Sequence, residues 1–546
     1  MSRNTAIVLV LALVLVAQVE AIKLWPLPKQ IINGTDTLPF SVCDFNAALT
    51  QNNLTSAMRT KIQFYAQKIF QTKDSVQCNL RASDFSFTIK VNNTDIKFGE
   101  FGTDDESYNL EASVNKTISI SANTYFGFLR ALETLSQLLR QNSDEVSLSH
   151  LPIQIQDAPS YGYRGVMIDS ARNYLKKSSI LRTIDAMMYN KMNVLHWHIT
   201  DDESFPIELE SIPEMSNFGS YGARYRYSKS DVQEIIDYAA QSGVRVIPEV
   251  DSPGHVRSWG RSEKYSNITI ACPGGEHYNN QLDPTLDLTY EANDLIFKDI
   301  QELFQDQYIH MGGDEVFGSC WDQRPSIKQF MSQNNISDYN QLQVYYRNRQ
   351  KQSIQANRTK IYWANEVQHI PPAPEDIIQF WGQSYTYNVI QNLPNKVILS
   401  PEDFLYINSG INFIWGNFFG NFTTWLNIYQ VNISPVEIDR SRILGAETTL
   451  WGEVNTDSTL DVYLWVRSSA LAERLWTGNH STPSDSSIDM SDLARRLSFM
   501  EDLMIERGIN AAPVTNKFCK ENIGICFDWR KANVYQSTTS TQTNTQ

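Results

Sequence analysis

The residues best equipped for chemistry recur in order along the chain. They are Asp169; His196, His198, Asp201 and Asp202; Glu249, Asp251 and His255; His310, Asp314 and Glu315; Trp363 and Glu366; Trp381; Tyr406; and Trp451 with Glu453. Carboxylates dominate this set, joined by four His, three Trp and one Tyr, with Arg164 ahead of it. A sugar suits such company. Its apolar C–H face stacks on indole, and its hydroxyls pair with Asp, Glu and Arg. Breaking a glycosidic bond also needs a carboxylic acid to protonate the departing oxygen. Each residue has a plainer reading as well. A Trp in a large core is most often packing, and an acid just past a strand is a favoured helix cap.

Asp314 and Glu315 are adjacent, and adjacent residues of a strand face opposite ways. They cannot flank one bond as an ordinary acid and nucleophile. Gly312 and Gly313 before them permit unusual backbone angles. Those could turn both acids into one pocket, with Glu315 as acid and Asp314 orienting another group. A metal site is the competing chemistry. His196 and His198 share a strand face, with His255 and His310 on nearby strands, as in zinc hydrolases. The later strands end in Trp and Tyr without His, so the expectation is no metal, with the imidazoles tuning a carboxylate network.

Eight short β-rich runs carry these residues: 165–168, 193–199, 245–250, 308–311, 360–363, 377–381, 396–399 and 443–449. Amphipathic helices lie between them. Val232, Ile235, Ile236, Ala239 and Ala240 form one apolar stripe. Ser228 and Asp231 stand at capping-box spacing before it, and Gly243 closes it. Ile180, Ile184, Met187 and Met188 make a second stripe, and Leu460, Leu464, Leu471 and Leu475 a third. The alternation predicts an α/β fold, a (β/α)8 TIM barrel with its site at the C-terminal strand ends, over residues 157–533. A doubly wound sheet lacks support, because no Gly-rich phosphate turn follows the first strand. Residues 22–156 mix alternating runs (Tyr108, Leu110, Ala112, Val114) with a helical stripe (Phe128, Leu132, Leu135, Leu139) and predict a small α+β N-terminal domain. Residues 534–546 are a polar tail expected to be disordered.

Composition limits the partners. Among 546 residues, 61 Asp+Glu against 46 Lys+Arg give a net charge of −15, which argues against nucleic acid. Residues 1–21 read as a cleaved secretory signal peptide: Arg3, an apolar run over 6–17, then Val19-Glu20-Ala21. That run is too short to span a bilayer, and no later segment is long and apolar enough to do so. The expected place is the secretory pathway, with lysosome or secretion as the end. Six cysteines fit an oxidising compartment. Their grouping makes Cys43–Cys78, Cys272–Cys320 and Cys519–Cys526 the economical pairing, although other connectivities stay open. Glycosylation sequons stand at Asn33, Asn53, Asn92, Asn115, Asn267, Asn335, Asn357, Asn421, Asn432 and Asn479.

Five motifs now acquire a family. Arg164-Gly-Val-Met-Ile-Asp169-Ser-Ala-Arg172, His196-Trp-His-Ile-Thr-Asp201-Asp202, Asp251-Ser-Pro-Gly-His255, His310-Met-Gly-Gly-Asp314-Glu315 and Leu450-Trp-Gly-Glu453 resemble the β-N-acetylhexosaminidases of glycoside hydrolase family 20. The lysosomal β-hexosaminidase type is the nearest likeness, running in order from about Leu24 to Cys526. The resemblance implies a retaining exo-hydrolase of terminal β-linked GlcNAc or GalNAc in which the substrate's acetamido oxygen is the nucleophile. It implies Glu315 as acid and then base, Asp314 as acceptor of the acetamido N–H, and Tyr406 as donor to the acetamido oxygen. Trp363, Trp381 and Trp451 would box the acetamido methyl, and Arg164 with Glu453 would hold the ring hydroxyls. Asp201, Asp251 and His255 would support Glu315. No cofactor or metal is implied; the partner is the glycan, and a homodimer is expected. Asn408 follows Tyr406 as in relatives that take acidic substrates, but Ser409 replaces their Arg, so neutral sugars are the expected preference. The alternative is a silent carbohydrate-recognition protein on the same scaffold.

Overall fold

The computed structural model describes residues 22–71, 83–142, 145–273, 280–363, 372–408, 422–478 and 489–526. The expected signal peptide (1–21), the expected tail (534–546) and Cys78 lie outside the described residues, as do Glu366, Ser409, Asn421 and Asn479. The other eight sequon asparagines are exposed. Cys272–Cys320 and Cys519–Cys526 are disulfides.

The N-terminal domain is a mixed sheet with three helices among its described residues, Val42–Leu49, Ser56–Phe70 and Tyr125–Leu138. Its strands are β1 (Gln30–Pro39), β2 (Ser86–Asn93), β3 (Tyr108–Ala112), β4 (Thr117–Thr124), β5 (Leu139–Asn142) and β6 (Glu145–Asp157). They order as β1-β6-β3-β4-β2, with β5 on β6. Alternation in β3 sends Tyr108, Leu110 and Ala112 inward, as a strand of period two must. The helix Tyr125–Leu138 is buried on all sides. It carries Arg130, whose Nη2 donates to the carbonyls of Met192 and Gly243 in the barrel at 3.2 and 3.0 Å.

The barrel strands are β7 (Tyr163–Asp169), β8 (Val194–Thr200) and β9 (Arg245–Val250), then, after a hairpin of β10 (Thr269–Ala271) and β11 (Asn280–Leu282), β12 (Tyr308–His310), β13 (Thr359–Trp363), β14 (Ile377–Phe380), β15 (Lys396–Leu399) and β16 (Ile443–Leu450). The eight barrel strands pair in parallel and close where β16 meets β7. β7, β8 and β9 are buried along their whole length, which is why they read as continuous apolar runs rather than alternating ones. The helix Lys229–Gln241 begins in a capping box of Ser228 and Asp231. The predicted third stripe is two helices, Leu460–Leu464 and Arg467–Thr477.

The barrel interior is layered. At the N-terminal end Tyr163, Val194, Ile247, Tyr308, Ile361, Ile377 and Ile398 form an apolar floor. Phe101, from the N-terminal domain, plugs it, stacked 3.9 Å from Tyr308. Above lies a polar tier containing His196, Glu249, His310, Gln379 and Glu447, all buried. Met167, Trp363 and Trp451 form the apolar top, with Trp381 and Tyr406 against them.

Candidate active site

The site forms where β7 ends. Asp169 Oδ1 accepts the backbone N–H groups of Ala171 and Arg172 at 2.8 and 3.1 Å, and Oδ2 accepts that of Gly452 at 2.8 Å. This ties the first strand's exit to the last strand's exit and swings Arg172 across the barrel mouth. Its guanidinium lies 2.8 Å from Asp201 Oδ2 and 3.1 Å from Asp169 Oδ2. Its carbon sits 4.9 Å from the Trp451 ring centroid. Burial opposes the charge, but Asp201, Asp169 and Glu453 hold it firmly cationic.

Arg164 does not reach this place. It is the second residue of β7, at the N-terminal end of the barrel. It is fully buried, with Nη2 at 2.5 Å from Glu106 and donors on the carbonyls of Lys191 and Tyr161 at 2.9 and 2.8 Å. Five strand steps at about 3.3 Å each put it roughly 17 Å from Asp169 at the mouth. Arg164 is therefore corrected from a sugar-binding residue to a fastener between the domains. Arg172, eight positions on in the same motif, occupies the place by the pocket.

The remaining residues gather at the mouth. Trp363 and Trp451 stand with ring centroids 5.8 Å apart, and Tyr406 lies 6.0 Å from Trp451 at 63°. With Trp381 they make an indole-walled box. Tyr406 is held by a bridge to Thr449 of β16. Burial and the charges of Asp314 and Glu402 raise its phenol well above the usual value, so it remains a donor. Glu453 is exposed toward the mouth. Asn408 is buried.

Backbone geometry brings the two adjacent acids together. β12 ends at His310, and Gly312, Gly313 and Glu315 follow with φ of 62°, 95° and 47°. Such left-handed angles suit glycine, and one at a side-chain-bearing residue marks stored strain. The result places both carboxylates beside one imidazole. His255 Nε2 is 3.3 Å from Glu315 Oε2 and 3.9 Å from Asp314 Oδ2. Its Nδ1 is 3.2 Å from Asp201 Oδ1. Burial works against charging His255, but Asp201 and Glu315 raise it well above its ordinary value. Asp201, ringed by Arg172, His255 and His198, is depressed well below the carboxylate range despite its burial. Asp251 Oδ1 accepts the Gly313 N–H at 2.8 Å. Burial and the neighbouring Asp314 push Asp251 well up, and burial raises Asp314 too. Two carboxyls this close share a proton rather than both ionise.

Two groups, His196–Glu249–His310 and Asp201–Asp251–His255, each bring three donor atoms within 4.8 Å. An ion in the first would have to displace His196 from two carboxylates, since its Nδ1 faces Glu447 at 3.0 Å and its Nε2 faces Glu249 at 2.9 Å. In the second it would part His255 from Asp201. Asp314 Oδ1 and Trp381 Nε1 at the box have no partner among the described residues, and neither do Asn408 Oδ1 and His310 Nε2 nearby. Buried groups of this kind are rare unless a ligand or water completes them.

Comparison with known proteins gives a consistent result. Residues 161–479 match the family described as glycosyl hydrolase family 20, catalytic domain, and residues 24–138 match one described as beta-acetyl hexosaminidase like. Beta-hexosaminidase subunit beta of Mus musculus is 32% identical over 539 residues, covering 93% of this chain and 95% of the relative. Chitooligosaccharidolytic beta-N-acetylglucosaminidase of Bombyx mori is 33% identical over 488 residues, covering 82% and 79%. Among solved structures, the Flavobacterium johnsoniae chitobiase matches with a TM-score of 0.73 at 24% identity, covering 89% of this chain and 73% of that one.

Proposed function

The chain belongs to glycosyl hydrolase family 20, and from that premise we propose that it is a retaining exo-β-N-acetylhexosaminidase. It removes terminal GlcNAc or GalNAc from glycoconjugates or chito-oligosaccharides, neutral ones by preference, in the lysosome or outside the cell. The observation that carries this reading is the indole-walled box with Asp314 Oδ1 at its edge, unpartnered among the described residues. An acetamido group offers what the box lacks: a methyl for the indoles and an N–H for Asp314.

Arg172 and Glu453 hold the terminal sugar's hydroxyls; a planar guanidinium suits two neighbouring oxygens. Trp363, Trp381 and Trp451 enclose the acetamido methyl and exclude water. Asp314 accepts the acetamido N–H, and Tyr406 donates to its carbonyl oxygen. That oxygen attacks C1 as the glycosidic C–O bond breaks, and Glu315 gives its proton to the leaving oxygen. The resulting oxazolinium carries the positive charge beside Asp314. Glu315, now a carboxylate, takes a proton from water, whose oxygen attacks C1 and reopens the ring. Two inversions give retention. Asp201 and charged His255 keep Glu315 oriented throughout.

The test is release of a chromogenic aglycone from β-GlcNAc and β-GalNAc glycosides between about pH 4 and 8, with Glu315→Gln alongside. The wild type turns over and the variant loses about a thousandfold or more in kcat on an unactivated aglycone, in line with losing general acid catalysis. A folded wild type that binds GlcNAc without turnover would replace this reading with that of a recognition protein.

A further inference from the structure

The polar tier below the box contains a line of alternating charge that the mechanism above leaves unused. Glu447 accepts from Tyr163 Oη and from Gln379 Nε2, and faces His196 Nδ1 at 3.0 Å. His196 Nε2 lies 2.9 Å from Glu249 Oε2. His198 Nδ1 lies 2.7 Å from the same oxygen, and its Nε2 lies 2.9 Å from Asp201 Oδ2. From Asp201 the line reaches Arg172 and His255. The other oxygen of Glu249 accepts the Trp363 indole N–H at 2.6 Å. Glu249 is thus a fork. One branch runs toward the acid, and the other ends on a wall of the acetamido box.

Chemistry explains why a carboxylate is needed there. Both oxygens are engaged: Oε1 accepts the indole N–H and lies 3.3 Å from His310 Nδ1, and Oε2 faces the imidazoles of His196 and His198. Among the described residues the indole's N–H has this single acceptor. His310 cannot serve the same purpose, because its Nδ1 accepts the Gly312 N–H at 3.1 Å and its ring lies beside the indole, centroids 5.1 Å apart. An amide in place of the carboxylate would put an N–H against at least one donor. We propose that Glu249 is a positioning residue that fixes the Trp363 indole and thereby sets how large an acyl group the box accepts. The proposal rests on the reading that the box holds the 2-acetamido group.

One extra methylene in an apolar pocket is commonly discriminated by roughly 10- to 200-fold. Glu249→Asp keeps the anion among the imidazoles and draws it back from the indole by about 1.5 Å, one carbon–carbon bond. It is the primary variant, because Glu249→Gln leaves the imidazoles without a counter-charge and risks misfolding. The readout is the ratio of kcat/KM for N-propionyl over N-acetyl glucosaminides with the same aglycone. It rises about fivefold or more in Glu249→Asp, part of the discrimination that a fixed wall provides. Trp363→Phe, which lacks the N–H, raises it too, and the double variant matches Trp363→Phe alone, the non-additivity expected of residues acting as one. A folded Glu249→Asp protein whose ratio stays within about twofold of wild type overturns the proposal, as does a double variant in which the two changes add. A wild type without turnover of the N-acetyl substrate overturns the underlying functional reading and this proposal with it.

Discussion

Charge and geometry at single residues separate two arginines that the sequence sets eight positions apart. Arg172 sits among Asp201, Asp169 and Trp451 at the mouth, and Arg164 pairs with Glu106 at the far end. Replacing each by Lys keeps the charge and removes the planar fork. Arg172→Lys is expected to lower kcat/KM about a hundredfold, roughly 2.7 kcal/mol of transition-state binding. Arg164→Lys is expected to lower the melting temperature and leave kcat/KM per folded molecule within about threefold. Paired kinetics and thermal melts decide it, and equal activity losses would remove the assignment of Arg172. The sequence does carry a signal that separates the two arginines. Site residues of a barrel follow the C-terminal end of a strand, and only Arg172 follows Asp169. Glu249 is legible in the sequence as a strand-end acid, but its link to Trp363 depends on a contact across 114 positions that no local pattern encodes.

Elements position these groups through backbone shape as much as through side chains. The turn after β12 is the clearest case. A Cβ on Gly312 would lie 1.8 Å from Asp251 Oδ1, where φ is +62°. Gly312→Ala therefore meets both a left-handed backbone penalty of about 1–2 kcal/mol and a collision with the carboxyl that anchors Gly313. The expected outcome is a fall in kcat of more than about a hundredfold. Gly508→Ala is the control: φ is +93° with nothing within 4 Å of the added carbon, so it loses stability alone. Unchanged kcat in Gly312→Ala, measured on soluble folded protein, would sever the turn from the chemistry. The eight barrel strands were legible to within a few residues, because strands buried on both faces leave unbroken apolar runs. Helix ends were less so. Leu464 and Leu471 keep helical phase across seven residues, so periodicity alone joined two helices that part after Leu464. Leu139 likewise continues the stripe of its helix yet begins β5.

The molecule as a whole is built around an ionised interior, and its stability should follow pH accordingly. Burial opposes a charge on His196, but Glu447 and Glu249 outweigh it and raise the imidazole to about 9; His198 and His255 are raised too. In the unfolded chain these rings titrate near about 6.5. Their stabilisation is fully present below that pH and is lost as pH rises through the folded value. Between about pH 6.5 and 8 the native state keeps protons that the unfolded state gives up, so His196 alone removes about 2 kcal/mol. Above that range Lys61, lowered to about 8 by its burial, pulls the other way. Denaturant midpoints across the lower window should fall with pH, and a flat profile would mean that the tier is neutral.

That interior is closed at the far end by a neighbour rather than by the barrel itself. The ring of Phe101 rests on Tyr308 and meets Tyr163 edge-on at 5.0 Å, and Tyr163 in turn holds Glu447. The barrel is a vessel whose base is moulded from another domain's loop. Shuffling that domain for a foreign one would leave solvent standing under the ionised layer, so descendants of this gene can vary their rims independently but must inherit both halves together.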